Sequence, residues 1–186
     1  MQNSKAVAPF EGLPAVVGAG ILLVPRADPL ALIWTELGLL RVSWRLGDCQ
    51  GLPQAQVPRW ASEPLVAYFA GEAVNPAELP VDLRGSRFQL AVYVALRQIP
   101  RGAVRSYAGI AADVANPRAP RAVGTANARN PLPIVVPCHR VVQAGHLLGG
   151  FSGGLDRKRQ LLALEGIRVT GERVEPGQLS LLQGHL

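Results

Sequence analysis

The sequence predicts a small α/β domain followed by a mainly helical domain built around a helix-turn-helix. Three observations carry this. Residues 21–46 break into the apolar runs ILLV, LALIW and LLRVSW, separated by PRADP and by Glu36 and Gly38, as strands and turns of a small sheet do. From Ser86 onward the apolar residues recur at helical spacing instead. Between them, residues 75–85 carry two prolines and few large apolar side chains, which places a linker there and gives domains 1–83 and 84–186.

With 186 residues, 48% of them hydrophobic, the chain buries a sizeable core. Its 16 prolines and 20 glycines are scattered among apolar segments, so they read as turn and cap residues and not as a low-complexity tract. No internal repeat occurs. After the strands, residues 63–70 (EPLVAYFA) read as a helix. In the second domain Phe88, Val92, Leu96 and Ile99 recur at spacings of four, four and three until Pro100-Arg101-Gly102 stops the run. Ser106 then caps a helix with Tyr107, Ile110 and Val114 on one face, and Asn116-Pro117 ends it. A second short helix starts at Pro120, whose missing N–H costs nothing in a first turn.

That second helix offers Arg121, Gly124, Thr125, Ala126, Asn127 and Ala128. Its small residues allow close approach to another surface, and Arg121 projects a long cation from its start. Two readings compete, a helix packed in the core and a recognition helix lying on DNA; the pattern alone weighs them evenly. Charge favours DNA. Residues 84–168 hold thirteen Lys or Arg against Asp113, Asp156 and Glu165, a net of +10, whereas residues 1–83 come to −3. Seventeen of the nineteen basic residues are arginine, which suits phosphate recognition, although a GC-rich coding sequence produces the same bias. Charge by itself does not name the partner.

Cys49 and Cys138 are the two cysteines, far apart and without CxxC or Cys/His metal spacing, so neither a disulfide framework nor a structural zinc site is expected. The apolar run at 13–24 follows Glu11 and lacks a small-x-small cleavage site, which favours a cytoplasmic location over a secretory signal. No run reaches the roughly 18 residues of a membrane span.

The chemistry concentrates in residues 131–142, PLPIVVPCHRVV. A thiol with a pKa near ~8.5 is mostly protonated at neutral pH and needs a base to become a nucleophile. His139 is the obvious base, but sequence neighbours do not face each other along a regular strand or helix. The backbone must turn there, or a water must bridge the two; Pro137 favours a departure from regular structure. An isolated Cys-His pair more often marks a small buried hydrophobe beside an incidental histidine. Cys49, in GDCQG, keeps that bland reading, and His146 and His185 have no motif.

Context changes the reading of Cys138. PCHRVV, preceded by NPLPIVV and followed by GGFSGG and LLALEG, resembles the signature region of the O6-alkylguanine-DNA alkyltransferases, the methylated-DNA-protein-cysteine methyltransferases. The likeness runs from about Gly85 to Gly166 through GSRFQLAVYVAL, IPRGAVRSYAGIA and RAVGTANARNP, and is only general upstream of EPLVAYFAGE. The resemblance implies repair by direct reversal: the protein binds duplex DNA through the minor groove with little sequence specificity, flips the damaged guanine into a pocket and moves its O6-alkyl group to a cysteine, once per molecule. It implies Cys138 as acceptor, His139 as base through a water, Glu165 as the acid orienting that imidazole, Tyr107 as donor to the guanine N3, and Asn130 as the holder of the turn before the cysteine. It makes Arg121 the finger that fills the vacated base stack, with Gly124, Thr125, Ala126, Asn127 and Ala128 on the DNA-binding helix. Val141, Gly149, Phe151 and Ser152 join Tyr107 around the substrate.

By the same likeness the first domain is ribonuclease-H-like, the second is winged-helix-like, and the protein is a monomer that needs no cofactor. Tyr93 stands where the family more often has Trp, and Phe151 where Tyr is common; the zinc ligands of some members are absent, so no metal is expected. Two rivals stand beside this reading. One is an alkyltransferase-like lesion-binding protein without chemistry, whose relatives replace the acceptor cysteine; the other is a helix-turn-helix regulator, in which PCHR and Glu165 have no purpose.

Overall fold

The structure, a computed structural model, describes residues 13–175. Glu11, His185 and the outer ends of the ranges 1–83 and 84–186 lie outside the described residues. The first half is an antiparallel sheet in the order β1 (Gly18–Leu22), β2 (Leu30–Thr35), β3 (Gly38–Ser43). Every residue of β2 is buried. Leu30, Leu32 and Trp34 face the main core, while Ala31 and Ile33 close a small cluster with Ala19 and Cys49 on the other face. Cys49 is a buried hydrophobe there, its Sγ near the carbonyls of Gly20 and Leu32.

Helix α1 spans Arg59–Ala70, four residues earlier than the sequence pattern suggests. Pro64 sits in the second turn of this helix. Gly71, at φ 94°, ends α1 in the left-handed conformation that glycine adopts without strain. Leu65, Tyr68 and Phe69 fill the space between α1 and the sheet; each such side chain contributes about 1.5–3 kcal/mol when fully buried.

The segment 75–85 packs along the sheet. Leu39 N–H donates to Pro80 O at 3.0 Å, Asp82 N–H donates to Leu39 O at 2.8 Å, and the buried Asp82 carboxylate accepts from Thr35 at 3.0 Å and from Arg84 at 2.6 Å. Gly38 allows this approach: at φ 134° a side chain there would collide with the Pro80 backbone. These residues, read as a linker from their few large apolar side chains, are attached by those bonds and by Leu79, Val81 and Leu83, which lie in or against the main hydrophobic cluster.

Helix α2 (Arg87–Arg97) starts in a capping box: Ser86 Oγ accepts from Gln89 N–H and Gln89 Oε1 accepts from Ser86 N–H. Two-residue β4 (Arg105–Ser106) leads into α3 (Tyr107–Asp113), where Ser106 Oγ caps Gly109 N–H at 3.0 Å. Helix α4 (Pro120–Ala128) completes the helix-turn-helix. Strand β5 (Val141–Val142) pairs in parallel with β4, and α5 (Leu155–Leu164) precedes a hairpin of β6 (Arg168–Thr170) and β7 (Arg173–Glu175). The fold is thus mixed α/β, with five α-helices and small sheets among the described residues. One hydrophobic cluster runs from β2 through α1 and α2 to α4 and residues 132–141, joining the two halves. No described helix is long and apolar enough to cross a membrane.

Candidate active site

Between α4 and β5 the chain makes an irregular passage that aims the Cys-His pair. Asn130 organises it: its Oδ1 accepts from Leu132 N–H at 2.9 Å, and its Nδ2 donates to Val136 O at 2.8 Å and to Cys138 Sγ at 3.1 Å. Ile134 lies at φ 77°, a conformation costly for a β-branched residue and held here by complete burial. Pro137, at φ −78° and ψ 62°, is the centre of an inverse γ-turn closed by Cys138 N–H donating to Val136 O at 2.7 Å. Cys138–Arg140 then form a single 3-10 turn. The departure from regular backbone expected at Pro137 is therefore a γ-turn followed by a 3-10 turn.

Cys138 is 3% exposed. Burial pushes its thiol up to about 11, against the pull of the Asn130 hydrogen bond and the Lys158 charge. His139 is fully buried, its Nε2 2.9 Å from Glu165 Oε1. Burial lowers its pKa, with the Glu165 carboxylate pulling the other way. Glu165, the residue after α5, also receives Tyr68 O–H at 2.8 Å and a two-pronged Arg140 guanidinium, Nε to Oε2 at 2.9 Å and a terminal nitrogen to Oε1 at 2.9 Å. Burial opposes the carboxylate charge, but His139 and Arg140 outweigh it and hold Glu165 well below the usual carboxylate range. An ionised Glu165 fixes the imidazole tautomer with its proton on Nε2. Nδ1, which has no hydrogen bond among the described residues, is left as the basic nitrogen.

A pocket of about 300 Å³ opens onto the sulfur, lined by Tyr107, Gly124, Asn127, Ala128, Cys138, Gly150, Phe151 and Ser152. Burial and the nearby Cys138 raise the Tyr107 phenol, so it stays a hydrogen-bond donor. Val141 and Gly149 are not among the lining residues: Val141 is fully buried in β5, and Gly149 sits behind the Tyr107 ring, where a Cβ would meet that ring and the Gln143 side chain. Helix α4 exposes Arg121, Thr125 and Ala128 on one stripe, while Ala126 faces the core and Asn127 turns toward the pocket. Arg121 makes no side-chain hydrogen bond or ion pair among the described residues. No group of three His, Cys, Asp or Glu that could hold a metal ion occurs among them.

Three residues at this site escape the sequence reading. Arg140 is fully buried and also donates to Ile99 O at 2.6 Å and Asn75 Oδ1 at 3.2 Å. Tyr68 reaches Glu165 from 97 residues away in sequence. Lys158 is fully buried on α5; its Nζ donates to Val141 O at 2.7 Å, to Leu148 O and to Gly150 O at 3.3 Å, fastening the pocket loop to β5. One signal pointed to Lys158: it is the sole lysine in a half that otherwise uses arginine for every basic residue. Burial brings Lys158 down to about 8, with the Cys138 charge acting in the opposite direction. Lys158→Met is expected to lower stability by about 2–3 kcal/mol in urea denaturation, because it strands buried carbonyls. It should also slow alkylation of Cys138 at neutral pH by removing a cation near the sulfur.

Comparison with known proteins gives the class first. Residues 87–167 match the family model described as "6-O-methylguanine DNA methyltransferase, DNA binding domain". A methylated-DNA-protein-cysteine methyltransferase of Mycolicibacterium paratuberculosis is 52% identical over 162 residues, covering 87% of this chain and 92% of the relative. One from Methanosarcina acetivorans is 44% identical over 144 residues, covering 74% and 92%. The crystal structure of Mycobacterium tuberculosis O6-methylguanine methyltransferase superposes with a TM-score of 0.71 at 37% identity, over 89% of this chain and 98% of that one. The OGT of the same organism in complex with DNA gives 0.67 at 39% identity, over 80% and 92%. The chain belongs to the methylated-DNA-protein-cysteine methyltransferase family.

Proposed function

We propose that this protein repairs DNA by direct reversal, moving the O6-alkyl group of guanine in duplex DNA onto Cys138 in a single irreversible turnover. The observation that carries this is a buried thiol opening onto a 300 Å³ pocket, with the His139 and Glu165 pair directly behind it. In the reaction the bond between O6 and the alkyl carbon breaks and a bond from Sγ to that carbon forms. His139 Nδ1 takes the thiol proton through a water and Glu165 stabilises the imidazolium; on completion that proton has passed to the departing guanine and the imidazole is neutral again. Tyr107 donates to the guanine N3, and Ser152 donates toward O6. The thioether product has no leaving thiolate, so the protein is consumed.

The helix-turn-helix lies in the minor groove in this reading, with Arg121 filling the space of the extruded base and Gly124, Thr125, Asn127 and Ala128 near the backbone. Helix α4 lacks a side-chain N-cap, which leaves N–H groups at its positive end for phosphate. The sheet and α1 form a ribonuclease-H-like domain within 1–83. The remainder, 84–186, is a winged-helix-like DNA-binding domain, and the protein acts as a cytoplasmic monomer.

The test is to incubate excess O6-methylguanine duplex with protein and map the modified peptide. One methyl per molecule on Cys138 supports the proposal; tight binding without transfer favours a lesion-binding protein and overturns it. Arg121→Ala is expected to slow transfer from duplex much more than it weakens binding to undamaged DNA, a contrast read by single-turnover kinetics beside equilibrium titration.

A further inference from the structure

The Cys138 pocket has a neighbour. A groove of about 290 Å³ between β3 and the end of α4 shares Ala128 and Ser152 with it, so the two cavities have a common wall. Four arginines converge on this groove: Arg41 and Arg45 from β3 and the turn after it, Arg129 just past α4, and Arg157 from α5. Two are engaged. Arg41 pairs with Asp48 at 3.6 Å, while Arg157 holds Asp28 at 2.6 Å and Gly153 O at 2.9 Å and lies 5.1 Å over the Trp44 ring. Arg45 and Arg129 are exposed, and neither guanidinium has a hydrogen-bonding or carboxylate partner among the described residues.

Asp48 and Asp28 therefore offset two of the four charges, and two remain on facing walls. Convergent like charges repel one another, and an anion between them relieves that repulsion. Guanidinium groups suit phosphate oxygens, which they bind through paired N–H donors. We infer that this groove holds backbone phosphates of the DNA strand whose base enters the Cys138 pocket; the inference rests on the proposed function. Position favours a phosphodiester over a free anion. A nucleotide seated against Ala128 and Ser152 leaves its strand neighbours running along the same wall. Arg121 in the first turn of α4 and Arg129 just past its end stand eight residues apart, roughly 12 Å along the helix axis at 1.5 Å per residue, with the pocket-lining Gly124, Asn127 and Ala128 between them. The sheet thereby becomes part of the DNA footprint: Arg41 and Arg45 are two of the five basic residues in a half whose net charge is −3.

The test uses the full chain with Arg45→Ala, Arg129→Ala and the double substitution, titrated with undamaged duplex DNA over a range of salt. Each lost phosphate contact should make the slope of log affinity against log salt shallower by about 0.9, so about 1.8 for the double variant, with equal weakening on unrelated sequences. Alkylation of Cys138 by the free base O6-benzylguanine, which needs no DNA, reports whether the pocket is intact and should proceed at the rate of the unsubstituted protein. Unchanged slopes overturn the inference. So does a parallel fall in free-base alkylation, which would assign the effect to a damaged pocket. Failure of the proposed function reads differently: Cys138 of the unsubstituted protein then accepts no alkyl group from either substrate, while the salt slopes still report the groove.

Discussion

Cys138→Ala is expected to abolish alkyl transfer while leaving affinity for duplex DNA largely intact. The residue is 3% exposed and contributes almost no surface for DNA to touch. Folding should survive as well. Asn130 Nδ2 loses its contact with the sulfur but keeps Val136 O at 2.8 Å, and its Oδ1 keeps Leu132 N–H, so no buried amide is stranded. Loss of one sulfur from a site that already borders a pocket costs about 1 kcal/mol. Cys138→Ser makes the sharper comparison. A hydroxyl can accept from Asn130 as the sulfur does, but it has neither the acidity nor the nucleophilicity of a thiol, and transfer should vanish with it. Intact-protein mass spectrometry after incubation with O6-methylguanine duplex reads transfer, and titration with the same duplex reads affinity. Residual methyl on either variant would mean another acceptor and would remove Cys138 from the reaction.

The same site explains why a base is required. With burial holding the thiol at about 11, the sulfur is protonated at pH 7. The pocket therefore keeps the sulfur protonated and unreactive until a proton acceptor is aligned. In the proposed reaction the His139 and Glu165 pair supplies the acceptor, through a water between the imidazole and the sulfur.

Local pattern carried the sequence reading a long way. The strand runs, the Ser86 and Ser106 caps, the helix-turn-helix and the turn forced by Pro137 are all determined by residues within a few positions of one another. What escaped depends on distant partners. Arg140 stands in an apolar run with no local carboxylate; its burial is possible only because Glu165 arrives 25 residues later and Ile99 O and Asn75 from further away. Lys158 reads as one more charge on an Arg-rich helix until three backbone carbonyls converge on it. Residues 75–85 carry few large apolar side chains, yet they hold the edge of β3 through main-chain hydrogen bonds that composition does not register.

Glu165→Gln is expected to remove both alkyl transfer and a large part of the stability. The carboxylate accepts from three side chains, and Arg140 is fully buried, so the substitution leaves a desolvated cation without its counter-ion. Breaking a buried pair by neutralising one partner costs about 3–5 kcal/mol. An amide also turns one of its ends into a donor, which faces the guanidinium or the imidazole and repels either. Tyr68→Phe removes one neutral donor from the same carboxylate and should cost about 1 kcal/mol, so it calibrates the loss of a single hydrogen bond. The pH dependence has a definite sign. Because the folded protein depresses the Glu165 pKa, the carboxylate stabilises the fold fully above its unfolded value of about 4.3, and that contribution disappears as pH falls through the lower folded value. Urea denaturation should therefore show a wide gap between the unsubstituted protein and Glu165→Gln at pH 7, narrowing progressively below about pH 4. Equal stabilities at pH 7 would show that Arg140 finds another partner and that Glu165 serves the imidazole alone. A gap that stays constant down to low pH would show that packing, and not the carboxylate charge, holds the two halves of the site together.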